Sequence, residues 1–253
     1  MQNDNTKYHD KIKIQLNCNT PQQVLDYYSS VFESTLDNII RYFSIYNFLK
    51  KSKANRNIIL DYYFLLLINV RKLFENPMQK DYKGSNICKA ADYQMTFNQW
   101  ITYYIEIFKT LDKSDGFLTD NLDNIEKTTG YLKINLIEFQ KIYQEASINT
   151  VGSIPIAPFK ERVFNAASKF VAHNFSKDRV EEWEYNNRIF VTYEELKTIA
   201  EIMSNIQDKQ KTLMYYWNNV VKIETYSYNE DFQTKIEKYV EEFIESLSTL
   251  STN

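Results

Sequence analysis

Four glycines and four prolines are all the punctuation that this 253-residue chain carries. A β-sandwich or barrel needs a turn about every ten residues, and its turns draw on Gly, Pro, Asn and Asp. Asparagine is plentiful here, but the two strongest breakers are scarce, so long helices with few connections fit best. Apolar residues make up 43% of the chain and aromatics 15%, led by 20 Tyr and 16 Phe. That is enough to form a sizeable core rather than remain disordered. The expectation is an all-α, multi-helix bundle.

Thr20-Pro21-Gln22-Gln23 offers an N-cap threonine, a proline at the first helical position and a glutamine where a capping box wants one. Leu25, Tyr28, Phe32, Leu36, Ile39, Ile40, Phe43 and Tyr46 follow at helical spacing, which predicts one amphipathic helix over 21–50. A second helix, 56–76, is apolar almost all round from Tyr62 to Ile68, the pattern of a central helix. Thr96-Phe97-Asn98-Gln99 opens a third helix, and a fourth runs from about Thr119 to Ala146 across Gly130. Val151 to Pro158 reads as a linker, with Pro158 starting a fifth helix. Thr192-Tyr193-Glu194-Glu195 is a full capping box opening a sixth, to about Val220. The last spans about 229–249, with Ile236, Tyr239, Val240, Phe243 and Leu247 on one face. Lys11 to Asn17 and Val221 to Tyr226 suit short strands, giving a minor two-stranded β element beside the bundle. The linker separates an N-terminal helical part, 1–150, from 151–253, as one domain or two closely packed parts.

Much chemistry is excluded by spacing. Two histidines and two cysteines, Cys18 and Cys88, lie too far apart for a zinc-type ligand set. Four dispersed glycines build neither a phosphate loop nor a dinucleotide fingerprint, so no metal and no cofactor is expected. Paired carboxylates such as Glu181-Glu182, Glu194-Glu195 and Glu241-Glu242 read as solvated helix faces. Tyr103-Tyr104 and Tyr215-Tyr216 read as core packing rather than base-stacking platforms. The net charge of −3 argues against a chain-wide polyanion-binding surface, though not against a local basic cleft. Met1 to Asn5 is polar, unlike a signal peptide, and the most apolar run, Ile58 to Val70, is interrupted by Asp61 and too short for a bilayer. A cytoplasmic protein without membrane contact is expected.

One segment holds candidate chemistry. On a helix starting at Pro158, the residues Phe159, Val163, Ala166 and Phe170 form an apolar stripe, with His173 at its edge. Lys169 and Lys177 flank that histidine at i−4 and i+4. A cation on each side lowers an imidazole's pKa and favours the neutral, proton-accepting form, which suits a general base near an anionic substrate.

Lys169-Phe170-Val171-Ala172-His173-Asn174, followed by a polar stretch and then Thr192-Tyr193-Glu194-Glu195-Leu196, resembles the HEPN superfamily over about 158–220. The likeness is to its abortive-infection and toxin type, found in prokaryotic defence loci. The resemblance implies a helical bundle of HEPN type, usually a homodimer, acting as a metal-independent endoribonuclease in a defence or toxin–antitoxin system, with an antitoxin protein as a further partner. It makes His173 the acid/base residue, with Lys169 and Arg162 as phosphate contacts and Lys169, Asn174 and Lys177 facing RNA. The motif arginine, expected four to six intervening residues before the histidine, would stand at Ser168, Ala167 or Ala166, and none of these is Arg. Arg162 is three turns upstream, about 16 Å away at the helical rise. Either the chain lacks that arginine natively, which can leave it inactive in this form, or an arginine has been replaced at Ala166 or Ala167. The alternative function is a non-catalytic helical module that binds RNA, nucleotide or protein.

Overall fold

A computed structural model describes residues 21–74, 97–110, 116–144, 150–151, 154–155, 158–168, 191–218 and 230–250. Seven helices are described: α1 Pro21–Lys51, α2 Arg56–Phe74, α3 Phe97–Thr110, α4 Gly116–Gln144, α5 Phe159–Ala167, α6 Tyr193–Asn218 and α7 Phe232–Leu250. The chain is therefore an all-α bundle, as the scarcity of breakers requires. The expected strands at 11–17 and 221–226 lie outside the described residues. A two-residue antiparallel ladder does occur, but in the linker, where β1 (Thr150–Val151) pairs with β2 (Ile154–Pro155).

Local chemistry sets the helix ends. α1 stops in a Schellman motif: the Ala54 N–H donates to Leu49 O at 3.0 Å and the Lys53 N–H to Lys50 O at 3.3 Å. Lys53 takes the left-handed conformation, φ 53°, that glycine usually fills there. Asn55 then caps α2 by accepting from the Asn57 N–H at 2.9 Å. α4 continues through Gly130 without a break.

α1 packs on α2, α6 and α7, while α4 packs on α3 and α6, and α2 holds α5. One buried cluster takes residues from both sides of the linker, from Phe32 to Ile236. The expected parts 1–150 and 151–253 thus share a core among the described residues. That core is aromatic at its centre: Phe32 stacks on Trp100 at 4.9 Å between centroids, and Phe139 meets both Phe74 and Phe97 at 5.3 Å. Tyr103 and Tyr104 are buried, as expected of core rather than base-stacking residues.

Two apolar patterns sit differently from expectation. α2 is not central along its whole length, because burial is concentrated from Leu66 to Phe74 while Ile58 and Leu65 face solvent. α7 buries Ile236 and Tyr239, but the same face emerges into solvent at Leu247.

Candidate functional site

The histidine-bearing segment is approached through α5 and left through α6. Pro158 precedes α5 in an extended conformation, and its carbonyl accepts from the Arg162 N–H at 3.0 Å. Phe159, Val163, Ala166 and Ala167 then bury one face. Ser168 is still in a helical conformation, φ −70° and ψ −44°. His173, Lys169, Asn174 and Lys177 lie outside the described residues; Arg162, Ala166 and Ala167 lie inside them.

Arg162 is not placed to meet a phosphate at the surface. It is 2% exposed, and its guanidinium makes a fork onto Glu195, from Nη1 to Oε2 at 2.8 Å and from Nη2 to Oε1. The apolar side of α5 carries it inward, where a bidentate carboxylate satisfies it. Glu195 is the third helical residue of the α6 capping box. Its N–H donates to Thr192 Oγ1 at 3.2 Å, while Oε2 accepts from the Thr192 N–H at 2.9 Å and hydroxyl at 3.0 Å. Burial pushes the Glu195 carboxyl upward, but Arg162 and Thr192 together outweigh it and hold the group below its ordinary value. Glu195 is thus a clamp between two helices, not the solvated carboxylate that its pairing with Glu194 suggests.

Ala166 and Ala167 are 1% and 2% exposed. They let α5 lie against its neighbours, and an arginine at either position would have to displace close-packed side chains. Ser168 is the half-buried member of the three, and its hydroxyl accepts from Arg71 Nη1 at 3.0 Å. The Arg71 guanidinium also lies over the Phe164 ring, 5.0 Å from its centroid. So α2 brings a guanidinium to one of the positions where the motif arginine would stand.

α2 holds the far end as well. The Tyr63 hydroxyl donates to Val191 O at 3.3 Å and accepts from the Val191 N–H at 3.1 Å. Tyr63 and Arg71 are roughly two helical turns, about 12 Å, apart. One rigid element therefore fixes both roots of the segment that carries His173. Tyr193, at the start of α6, adds a bond to Asn47 of α1 at 2.9 Å.

A second buried polar cluster joins α6 to α7. Lys235 Nζ donates to Ser204 Oγ at 2.9 Å, to Ser204 O at 3.3 Å and to Asp208. Burial pulls the Lys235 ammonium down and pushes the Asp208 carboxyl up, each against the pull of its partner. Among the described residues, no three His, Cys, Asp or Glu side chains come together to hold a metal. None of the described helices is long and apolar enough to cross a membrane.

Comparison with protein-family models, curated proteins and solved structures finds no match for this chain.

Proposed function

We propose that the chain is a HEPN-type, metal-independent endoribonuclease of a prokaryotic defence or toxin–antitoxin system, working in the cytoplasm as a homodimer. The observation that carries this reading is His173 set between Lys169 and Lys177 in a HEPN-like stretch. In the proposed reaction His173 takes the proton of an RNA 2′-hydroxyl, which attacks its own phosphate. The P–O5′ bond breaks as the His173 imidazolium returns the proton to the departing 5′-oxygen, giving a 2′,3′-cyclic phosphate and a 5′-hydroxyl end. Lys169 and Lys177 stabilise the charge that builds on the phosphorane, and Asn174 contacts the strand. Arg162, engaged by Glu195, serves by locking α5 to α6 rather than by touching phosphate.

Incubating the protein with total RNA in the presence of a chelator tests this. Cleavage with cyclic-phosphate ends is expected, and His173→Ala should lower it at least about a hundredfold. A folded wild-type protein that leaves RNA intact would sink the catalytic reading.

The burial of Ala166 and Ala167 favours a second reading, because an arginine at either position would have to displace its neighbours. On that reading the same surface binds RNA or nucleotide without cutting, or binds a protein such as an antitoxin. RNA binding that weakens steeply with salt, without cleavage, is its signature.

A further inference from the structure

We propose that the outer face of α4 is where a second copy of this chain docks, the two helices packing antiparallel about a two-fold axis. The inner face of α4 is spent on the core, through Ile125, Leu132, Leu136 and Phe139. On the outer face Tyr131, Ile134 and Ile137 are 45%, 53% and 42% exposed. Single exposed apolar residues are ordinary. Three of them on adjoining turns of one helix form a patch, and patches mark contacts.

Gly130 lies among them, with Gly130, Ile134 and Ile137 at i, i+4 and i+7 on one side of the helix. A mid-helix glycine weakens a helix relative to alanine. Nothing within the described chain asks for it, since a Cβ at Gly130 would meet no neighbouring atom within 4 Å. A glycine of use only from outside admits another backbone at close range.

Charge selects the occupant. Among the described side chains of α4 the exposed charges are balanced, with Asp123, Glu126 and Glu138 against Lys127, Lys133 and Lys141. Such a surface offers no field to a strongly acidic or basic partner but is complementary to itself. When Tyr131 is set on Ile134 of the second copy, Lys127 falls opposite Glu138 of that copy, and the two-fold axis makes the pair twice. Lys209, with Nζ 5.3 Å from the Tyr131 ring centroid, backs that ring from α6. An interface built on one helix face is at the small end of specific contacts, so association with a Kd of about 1–100 µM is expected.

The inference rests on the proposed homodimer and gives it a location. A dimer unmoved by the α4 variants overturns the location alone, whereas a wild type that stays monomeric overturns the homodimer as well. The test is sedimentation equilibrium of the full chain from about 1 to about 200 µM. Wild type should pass from monomer to dimer, and Ile134→Glu should remain monomeric throughout. Gly130→Leu should also weaken association, without lowering the unfolding temperature measured at the dilute end. Lys127→Glu should weaken it about tenfold, and adding Glu138→Lys should restore it, because the doubly reversed pairs are again opposite in sign. A wild type that is monomeric at the highest concentration overturns the proposal, even if α4 then captures a different protein. A dimer unmoved by Ile134→Glu and Gly130→Leu overturns it equally.

Discussion

Glu195 makes two kinds of bond at once. The capping box Thr192 to Glu195 is legible from four letters of sequence, because its bonds are local and stereotyped. The fork from Arg162 is not, since it joins two helices 33 positions apart in the chain. Removing the carboxylate should leave a guanidinium that is 2% exposed without its anionic partner. Glu195→Gln is expected to cost about 2–3 kcal/mol, less than the roughly 3–5 kcal/mol of a fully buried pair, because the Glu195 side chain is 29% open to water. The pH dependence has a definite sign. The folded state holds this carboxyl below its ordinary value of 4.5, so the ion pair contributes fully above that pH and fades as pH falls through the lower, folded value. Urea midpoints of wild type and Glu195→Gln, measured from neutral pH downward, should therefore be furthest apart above the ordinary carboxyl value and converge only as pH falls through the depressed, folded one.

At the scale of elements, periodicity located all seven described helices, and the signals that worked were local ones. Pro158 ahead of α5, the capping box of α6 and the apolar spacing of α1 each act within a turn or two. What periodicity does not fix is how much of each apolar face finds a neighbour. α2 reads as buried all round, but only its second half is, and α7 loses its cover toward Leu247. Nor does it show that Lys235, in the first turn of α7, turns inward to Asp208 rather than outward to water. Both groups are shifted toward their neutral forms, so desolvation outweighs their mutual attraction in setting each titration. Breaking one side should then be worse than removing both. Lys235→Ala is expected to lose about 3–5 kcal/mol in urea denaturation, and Lys235→Met combined with Asp208→Leu about 1 kcal/mol or less. A double variant as unstable as the single one would show that Ser204 and the packing around it, rather than the charge pair, hold α7 in place.

For the whole molecule, the sequence points to His173 but not to what frames it. Arg71 reaches Ser168 across 97 positions and Tyr63 reaches Val191 across 128, and no spacing rule forecasts pairings of that range. The partner of Arg162 is hidden for the same reason: helical rise places it three turns from His173 in sequence, but its fork onto Glu195 joins residues 33 positions apart. If cleavage requires the homodimer that the HEPN resemblance implies, activity and assembly must rise and fall together. RNA cleavage per chain should then drop on dilution below the dimer's Kd, approaching proportionality to concentration when dimers become rare. Ile134→Glu, on an exposed position of α4 well away from the core, should lower cleavage in step with the fraction of dimer while leaving the unfolding temperature of the dilute protein unchanged. Initial rates over a hundredfold range of protein concentration, set beside sedimentation of the same samples, make the comparison. A monomeric Ile134→Glu protein that still cuts RNA at the wild-type rate would confine the chemistry to one protomer and leave α4 with assembly alone.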